Sequence, residues 1–279
     1  MSIIPIVVKA KKRFGQNFLV DGEVTSSIAD IIDPREGQNL IEIGPGRGAL
    51  TRLILKRCGN LRVIEIDREL VSVLQSDREL REHPGLEIIH GDALKIDFGS
   101  FADRGPMRIF GNLPYNISSP LIFHLLTDDL GEGRIEDLTF MLQQEVVRRL
   151  AAEIDTKAYG RLTVMAQFFC EVEPLLTVSP TAFAPQPQVV SEVVRLRPRE
   201  MDPERRALYP YLSKVTIQAF STRRKMIANS LSGQFTKDTL EDLGIDIAKR
   251  AENISVEQYV ALAEHLRSRD EENSWKIIT

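Results

Sequence analysis

Asn39-Leu40-Ile41-Glu42-Ile43-Gly44-Pro45-Gly46-Arg47-Gly48 is a short apolar run that ends in three alternating glycines. Residues 49–57 follow it with apolar side chains at helical spacing, so the stretch reads as strand, tight turn, helix. Glycines belong where the backbone turns sharply and a ligand must approach it without a Cβ in the way. The helix that follows offers free amide groups at its start. The same alternation continues outward. Residues 61–66, 86–89 and 107–110 read as further strands, and 69–75 reads as a helix. Ser118-Ser119-Pro120 opens another helix, with Ser at the cap and Pro in the first turn. Residues 138–142, 175–178 and 192–196 close the set of strands. Upstream, Asp21 caps an apolar-periodic stretch (Val24, Ile28, Ile31, Ile32) that stops before Pro34. Strands alternating with helices predict a doubly wound, Rossmann-like α/β domain over residues 1–198. Beyond Arg197-Pro198-Arg199 only helical spacing remains, at 212–220, 223–231, 239–243 and 256–266. A small all-helical second domain is therefore expected over 199–279, with a polar, frayed end at 270–279.

A chain of 279 residues has room for about two such domains. No run approaches the roughly 18 consecutive apolar residues of a membrane helix, so no membrane partner is expected. Met1-Ser2-Ile3-Ile4-Pro5 lacks the charged start of a secretory signal. Two cysteines, Cys58 and Cys170, fit a reducing compartment, and the expected location is the cytoplasm. Four scattered histidines and two distant cysteines give no metal-ligand spacing, so no metal is expected. The net charge of −4 argues against a nucleic-acid partner, but the charge is segregated. Lys9, Lys11, Lys12 and Arg13 precede the first acidic residue, Asp21. Residues 195–225 carry nine Lys/Arg against three Asp/Glu, while 236–279 carry six against ten. Steering depends on the local field rather than the total, although solvated helix faces account for such runs equally well.

The glycine loop admits two cofactors. Gly44, Gly46 and Ala49 satisfy the dinucleotide pattern G-x-G-x-x-G/A. Glu65, ending the next strand, is 21 positions after Gly44, where a carboxylate would accept both ribose hydroxyls in either case. Two further strand ends separate the readings. Gly91-Asp92-Ala93-Leu94 places a carboxylate where it could accept from an adenine amino group, and Asn112-Leu113-Pro114-Tyr115 follows the fourth strand. In open α/β sheets ligands bind at the carboxyl ends of the strands, so Gly44, Glu65, Asp92 and Asn112 are expected to share one crevice.

The tetrapeptide suits methylation of an adenine amine. That nitrogen is a poor nucleophile because its lone pair is conjugated into the ring. Acceptors holding both N–H bonds draw it toward a tetrahedral shape. The Asn112 side chain supplies one carbonyl and the Leu113 backbone the other, projected by the turn that Pro114 fixes. Tyr115 supplies a ring on which the extruded base can stack, worth about 1–3 kcal/mol.

With these blocks in place, the chain resembles the ribosomal RNA adenine dimethyltransferases, more narrowly the bacterial type acting on small-subunit (16S) rRNA. The resemblance rests on Lys12-Arg13-Phe14-Gly15-Gln16-Asn17-Phe18-Leu19, the glycine loop, Glu65-Ile66-Asp67, Gly91-Asp92-Ala93-Leu94 and Asn112-Leu113-Pro114-Tyr115-Asn116-Ile117-Ser118-Ser119-Pro120. Phe183-Ala184-Pro185-Gln186-Pro187-Gln188-Val189-Val190-Ser191 matches a late segment of the family, except that members often carry a basic residue at the position of Gln188. Phe220-Ser221-Thr222-Arg223-Arg224-Lys225 is similar to its C-terminal helical domain. The resemblance implies a class I methyltransferase sheet that binds S-adenosylmethionine. Asn17 and Leu19 would sit over its methionine end, with Gly44 and Gly46 beneath. Glu65 would hold the ribose, Asp92 the adenine, and Asn112 both cofactor and target base. Phe183 would flank that base opposite Tyr115. Two adjacent adenosines near the rRNA 3′ end would each receive two methyl groups, in an immature 30S particle, from a monomeric enzyme.

Lys11, Lys12 and Arg13 would contact RNA, as would Arg223, Arg224 and Lys225 at an expected helix start. The rival readings are a large-subunit rRNA adenine methyltransferase and a ribosome-assembly factor that acts by binding. A nicotinamide oxidoreductase fits worse, because no His is placed for hydride-transfer chemistry.

Overall fold

In the computed structural model, which describes residues 10–11, 15–114, 116–128 and 133–278, seven strands form one sheet. They are β1 (Asn39–Ile43), β2 (Leu61–Glu65), β3 (Leu86–His90), β4 (Met107–Asn112), β5 (Ile135–Gln143), β6 (Cys170–Val178) and β7 (Ser191–Pro198). Their spatial order is β3-β2-β1-β4-β5-β7-β6. Pairing is parallel from β3 across to β5, and β7 runs antiparallel to β5. Every residue of β1 and β2 is buried, as befits parallel strands covered on both faces. The chain moves outward from β1 to β3 and then returns to β4 on the other side of β1. That reversal opens a crevice at the carboxyl ends of β1 and β4, beside the glycine loop.

Helix α1 (Gly22–Ile32) is capped as expected, the Asp21 carboxylate accepting from the amides of Glu23 and Val24. Helix α2 (Ala49–Cys58) follows the glycine loop, and α3 (Arg68–Ser76) starts at an Asp67 cap. Helix α4 (Ser118–Asp128) follows β4. The buried core of this unit includes Leu40, Ile54, Val63, Phe110, Met141 and Val193. Two buried guanidiniums are internally satisfied near the amino ends of their strands. Arg62 pairs with Asp103 and Glu87, and Arg108 donates to Asp137 and to the Ile32 carbonyl. They hold the sheet together away from the crevice.

The chain divides into two units, Met1–Val147 with Val172–Pro198, and Arg148–Glu171 with Arg199–Thr279. The second includes α6 (Arg161–Phe169), which follows α5 (Gln144–Leu150), together with α7 (Tyr209–Ser221) and α8 (Val256–Ile278). Tyr159 and Tyr259 are buried in it, and their hydroxyls donate to the carbonyls of Ile254 and Ala251. Two expectations are corrected here. Residues 223–231 do not form one helix: Thr222–Lys225 closes as a turn, the Lys225 amide donating to Thr222, and the next helix is Ile227–Ser230. Arg223 is drawn out of helical register because its guanidinium donates to the Tyr159 carbonyl (2.8 Å) and to Glu252 (3.1 Å). The last helix does not stop at 270 but continues to Ile278, as an extension of the segment whose Tyr259, Leu262, Ala263 and Leu266 are buried. Among the described residues no helix is long and apolar enough to cross a membrane, and no three His, Cys, Asp or Glu side chains gather to hold a metal.

Candidate active site

The glycine loop leaves β1 through a hydrogen bond from the Gly44 amide to the Ile64 carbonyl (2.9 Å), then folds back as the Gly48 amide reaches Pro45 (2.8 Å). At Gly46 φ is +58°, and a Cβ there would stand 3.2 Å from the Phe18 ring. Glycine thus serves both the left-handed turn and the close approach of the N-terminal segment. Gly111 in β4 has a different reason: a Cβ would lie 2.2 Å from the Ile43 carbonyl oxygen of β1. The two strands that flank the crevice can approach only with glycine at that point.

Glu65 ends β2 with a carboxylate that is 4% exposed. Its Oε1 accepts from the Asp67 amide (2.9 Å) and its Oε2 from the Gly46 amide (3.2 Å). Burial pushes the carboxyl above its ordinary range, and those two amides draw it only part of the way back. Two carboxylate oxygens offer about four acceptor sites, so the group keeps capacity for hydroxyl donors. Asp92, in the turn after β3, accepts from the Leu94 amide (3.1 Å) and has Lys95 Nζ 3.8 Å from its other oxygen. The Asn112 Nδ2 donates to the Asn17 carbonyl (3.0 Å). With its NH₂ end fixed there, the amide turns its carbonyl oxygen the opposite way. Behind it the Leu113 amide donates to Met141 (3.2 Å), and a turn closes from the Ile117 amide to Pro114 (3.1 Å).

One cleft is lined by Asn17, Leu19, Gly44, Gly46, Glu65, Asp92, Asn112, Leu113 and Pro114. The four strand ends read from the sequence are therefore brought together. Phe183 is 4% exposed and packed in the hydrophobic core, where it pairs with the cleft-lining Leu19 in a short antiparallel bridge. Tyr115, Lys12 and Arg13 lie outside the described residues. Lys11 is engaged by carboxylates, its Nζ standing 2.7 Å from Asp67 and 2.9 Å from Glu69. Arg223 bonds Tyr159 and Glu252 as described yet keeps a side chain 43% exposed, and Arg224 and Lys225 are exposed on the same turn.

The sequence reading assigned no site role to Gln16, Arg47 and Ile66, all of which line the cleft. The Arg47 guanidinium lies 4.5 Å over the Phe18 ring, and Ile66 is 43% exposed although apolar. The available signal was position: each adjoins a residue that the motifs had already marked. Glu42, one residue from the end of β1, is fully buried and accepts from Thr51 Oγ1 (2.6 Å); burial pushes its carboxyl up to about 8.

The sequence profile of the ribosomal RNA adenine dimethylases matches residues 7–268. The chain belongs to that family. Its relatives include the Ribosomal RNA small subunit methyltransferase A of Photorhabdus laumondii, 51% identical over 95% of this chain and 96% of that one. The protein of the same name from Cronobacter sakazakii is 51% identical over 92% and 93%. Among solved structures, a dimethyladenosine transferase from Plasmodium falciparum superimposes with a TM-score of 0.76 at 25% identity, covering 91% of this chain and 98% of that one. The 23S rRNA methyltransferase ErmE gives 0.69 at 26%, covering 90% and 100%. The two superposed methyltransferases share this fold over nine-tenths of the chain. Relatives named for the small subunit stand at twice the identity of the large-subunit structure.

Proposed function

We propose that the chain transfers methyl groups from S-adenosylmethionine to the exocyclic amines of two adjacent adenosines near the 3′ end of small-subunit rRNA. The observation that carries this reading is the placement of the Asn112–Pro114 turn in the same cleft as Glu65 and the glycine loop, with the Asn112 amide already oriented by Asn17. The cleft suits the cofactor. Glu65 retains acceptor capacity for ribose hydroxyls, and Asp92 offers a carboxylate for an adenine amine. The Gly44–Gly46 turn leaves room for backbone approach, with Asn17 and Leu19 across from it. When bound, S-adenosylmethionine supplies a methyl group on a cationic sulfur. The protein's part is to make the amine ready. Asn112 Oδ1 accepts one N–H and the Leu113 carbonyl the other, localising the lone pair on nitrogen. Once methylated, the nitrogen would be cationic and would release a proton to solvent, so the cleft residues would not need to supply a strong general base.

We extend the reading to an immature 30S particle as substrate and to a monomer acting in the cytoplasm. The two buried free thiols, Cys58 and Cys170, suit a reducing compartment. Incubation with labelled cofactor and undermethylated small subunits, followed by mapping of the label, tests the proposal. Label on two adjacent 3′-end adenosines is expected. Label on the large subunit would favour the rival enzyme, and subunit binding without label would favour an assembly factor. Asn112→Ala is expected to abolish transfer while leaving subunit binding intact.

A further inference from the structure

We propose that Asp67 is a positioning residue, latching an N-terminal strap of Lys11 and residues 15–19 to the start of α3 so that the strap orients the Asn112 amide. The proposal rests on the methyl-transfer reading of the cleft. The Asp67 side chain is 2% exposed, yet it binds two groups from a segment about fifty residues away in sequence. Its Oδ1 accepts from Lys11 Nζ at 2.7 Å and its Oδ2 from Gln16 Nε2 at 3.1 Å. Gln16 Oε1 in turn accepts from the Lys11 amide (2.8 Å), so Lys11, Gln16 and Asp67 close a ring of hydrogen bonds. Burial works to raise the Asp67 carboxyl, but the bonds from Lys11, Gln16 and the Glu69 amide, with the Lys11 charge, together hold the group below the usual carboxylate range. It is thus an anion matched to its cation.

The far end of the strap is pinned separately, where Phe18–Leu19 pairs with Phe183–Ala184. Between the two anchors lies Asn17, whose carbonyl receives the Asn112 Nδ2. Asp67 also donates its backbone amide to Glu65. One residue therefore stands behind both the proposed ribose acceptor and the proposed amine acceptor. A group that has to point a carbonyl at a reacting nitrogen loses rate steeply when displaced by even an ångström, so the latch bears on turnover and not merely on stability.

Two variants separate these roles. Asp67→Asn keeps an oxygen to cap the Glu69 amide and start α3, while removing the charge and the acceptor for Gln16. Lys11→Met leaves the cap untouched. Two measurements are made on each variant and on the double variant: amide hydrogen exchange of residues 15–19 in the free protein, and kcat at saturating S-adenosylmethionine on undermethylated 30S subunits. Expected are exchange at 15–19 at least about tenfold faster, with β1 unchanged. A fall in kcat of roughly 10- to 100-fold is also expected. The double variant should be no worse than the poorer single one, because both substitutions cut one latch. Wild-type exchange at 15–19, wild-type kcat despite a loosened strap, or losses that multiply in the double variant would each overturn the proposal. If the unsubstituted protein transfers no methyl group, the functional reading fails instead. The exchange measurement still decides whether Asp67 holds the strap.

Discussion

Glu65 spends its two oxygens on the amides of Gly46 and Asp67, so the residue proposed to hold the ribose also ties the glycine loop to the second strand. Glu65→Ala is expected to weaken S-adenosylmethionine binding by about 1.5–3 kcal/mol, the range for a lost charged acceptor. Titration calorimetry on the folded variant checks this, and an unchanged affinity would remove Glu65 from the site. Glu42 gives a pH signature. The unfolded chain sheds this proton near the ordinary carboxylate value, whereas the folded protein keeps it to about 8. Between those limits the folded state binds the extra proton and loses about 1.4 kcal/mol of stability per pH unit as pH rises. Glu42→Gln retains an acceptor for Thr51 and removes the titration. Its stability advantage over the wild type should therefore grow from pH 5 to pH 8 in urea unfolding, and a pH-independent difference would contradict the assignment.

The loop after β1 and the strand beside it set the limits at the level of elements. Gly111→Ala forces a Cβ against the backbone of β1, where no side chain can yield, and is expected to leave little folded protein. Gly46→Ala meets a ring edge at 3.2 Å and a left-handed φ, a strain of about 1–2 kcal/mol. It should fold with a lowered Tm and bind cofactor more weakly, as thermal melts with and without ligand would show. These elements were legible in the sequence because their signals are local. An apolar run, three glycines and an acidic strand end sit within 27 residues, from Asn39 to Glu65. What the sequence did not disclose depends on partners far along the chain. The turn at Arg223 is set by Tyr159, 64 positions away, and the pairing of Lys11 by Asp67, 56 positions away. A free basic arm and an ion-paired strap have the same local sequence. Phe183 likewise matched a motif, but its pairing with Leu19 and its core neighbours decide its burial.

Across the whole molecule, the proposed RNA binding would depend on local charge rather than on the net value of −4. Because Arg223 also bonds Tyr159 and Glu252, the proposed phosphate contacts on its turn are tested at Arg224 and Lys225, whose loss leaves those bonds in place. Replacing both with Ala should flatten the log–log salt dependence of 30S binding by up to about 1.4–1.8 units, with cofactor affinity unchanged. An unaltered slope would move the docking surface elsewhere. Arg223→Ala should instead lower the melting temperature. The division of the chain into interrupted segments has a further consequence, for synthesis on the ribosome. Helix α6 emerges long before the residues its side chains meet: Met165 waits for Thr216, and Phe169 for Tyr209. The nascent chain grows at about 5–20 residues per second. The apolar face of α6 therefore goes without these partners for about 2–10 seconds, while the closing strand β7 is still being made. Ribosomes stalled so that β7 has cleared the exit tunnel while residues 209–216 are still inside it should carry a chain whose sheet is nearly complete and whose residues 161–169 are open to proteases and to chaperones that hold apolar segments.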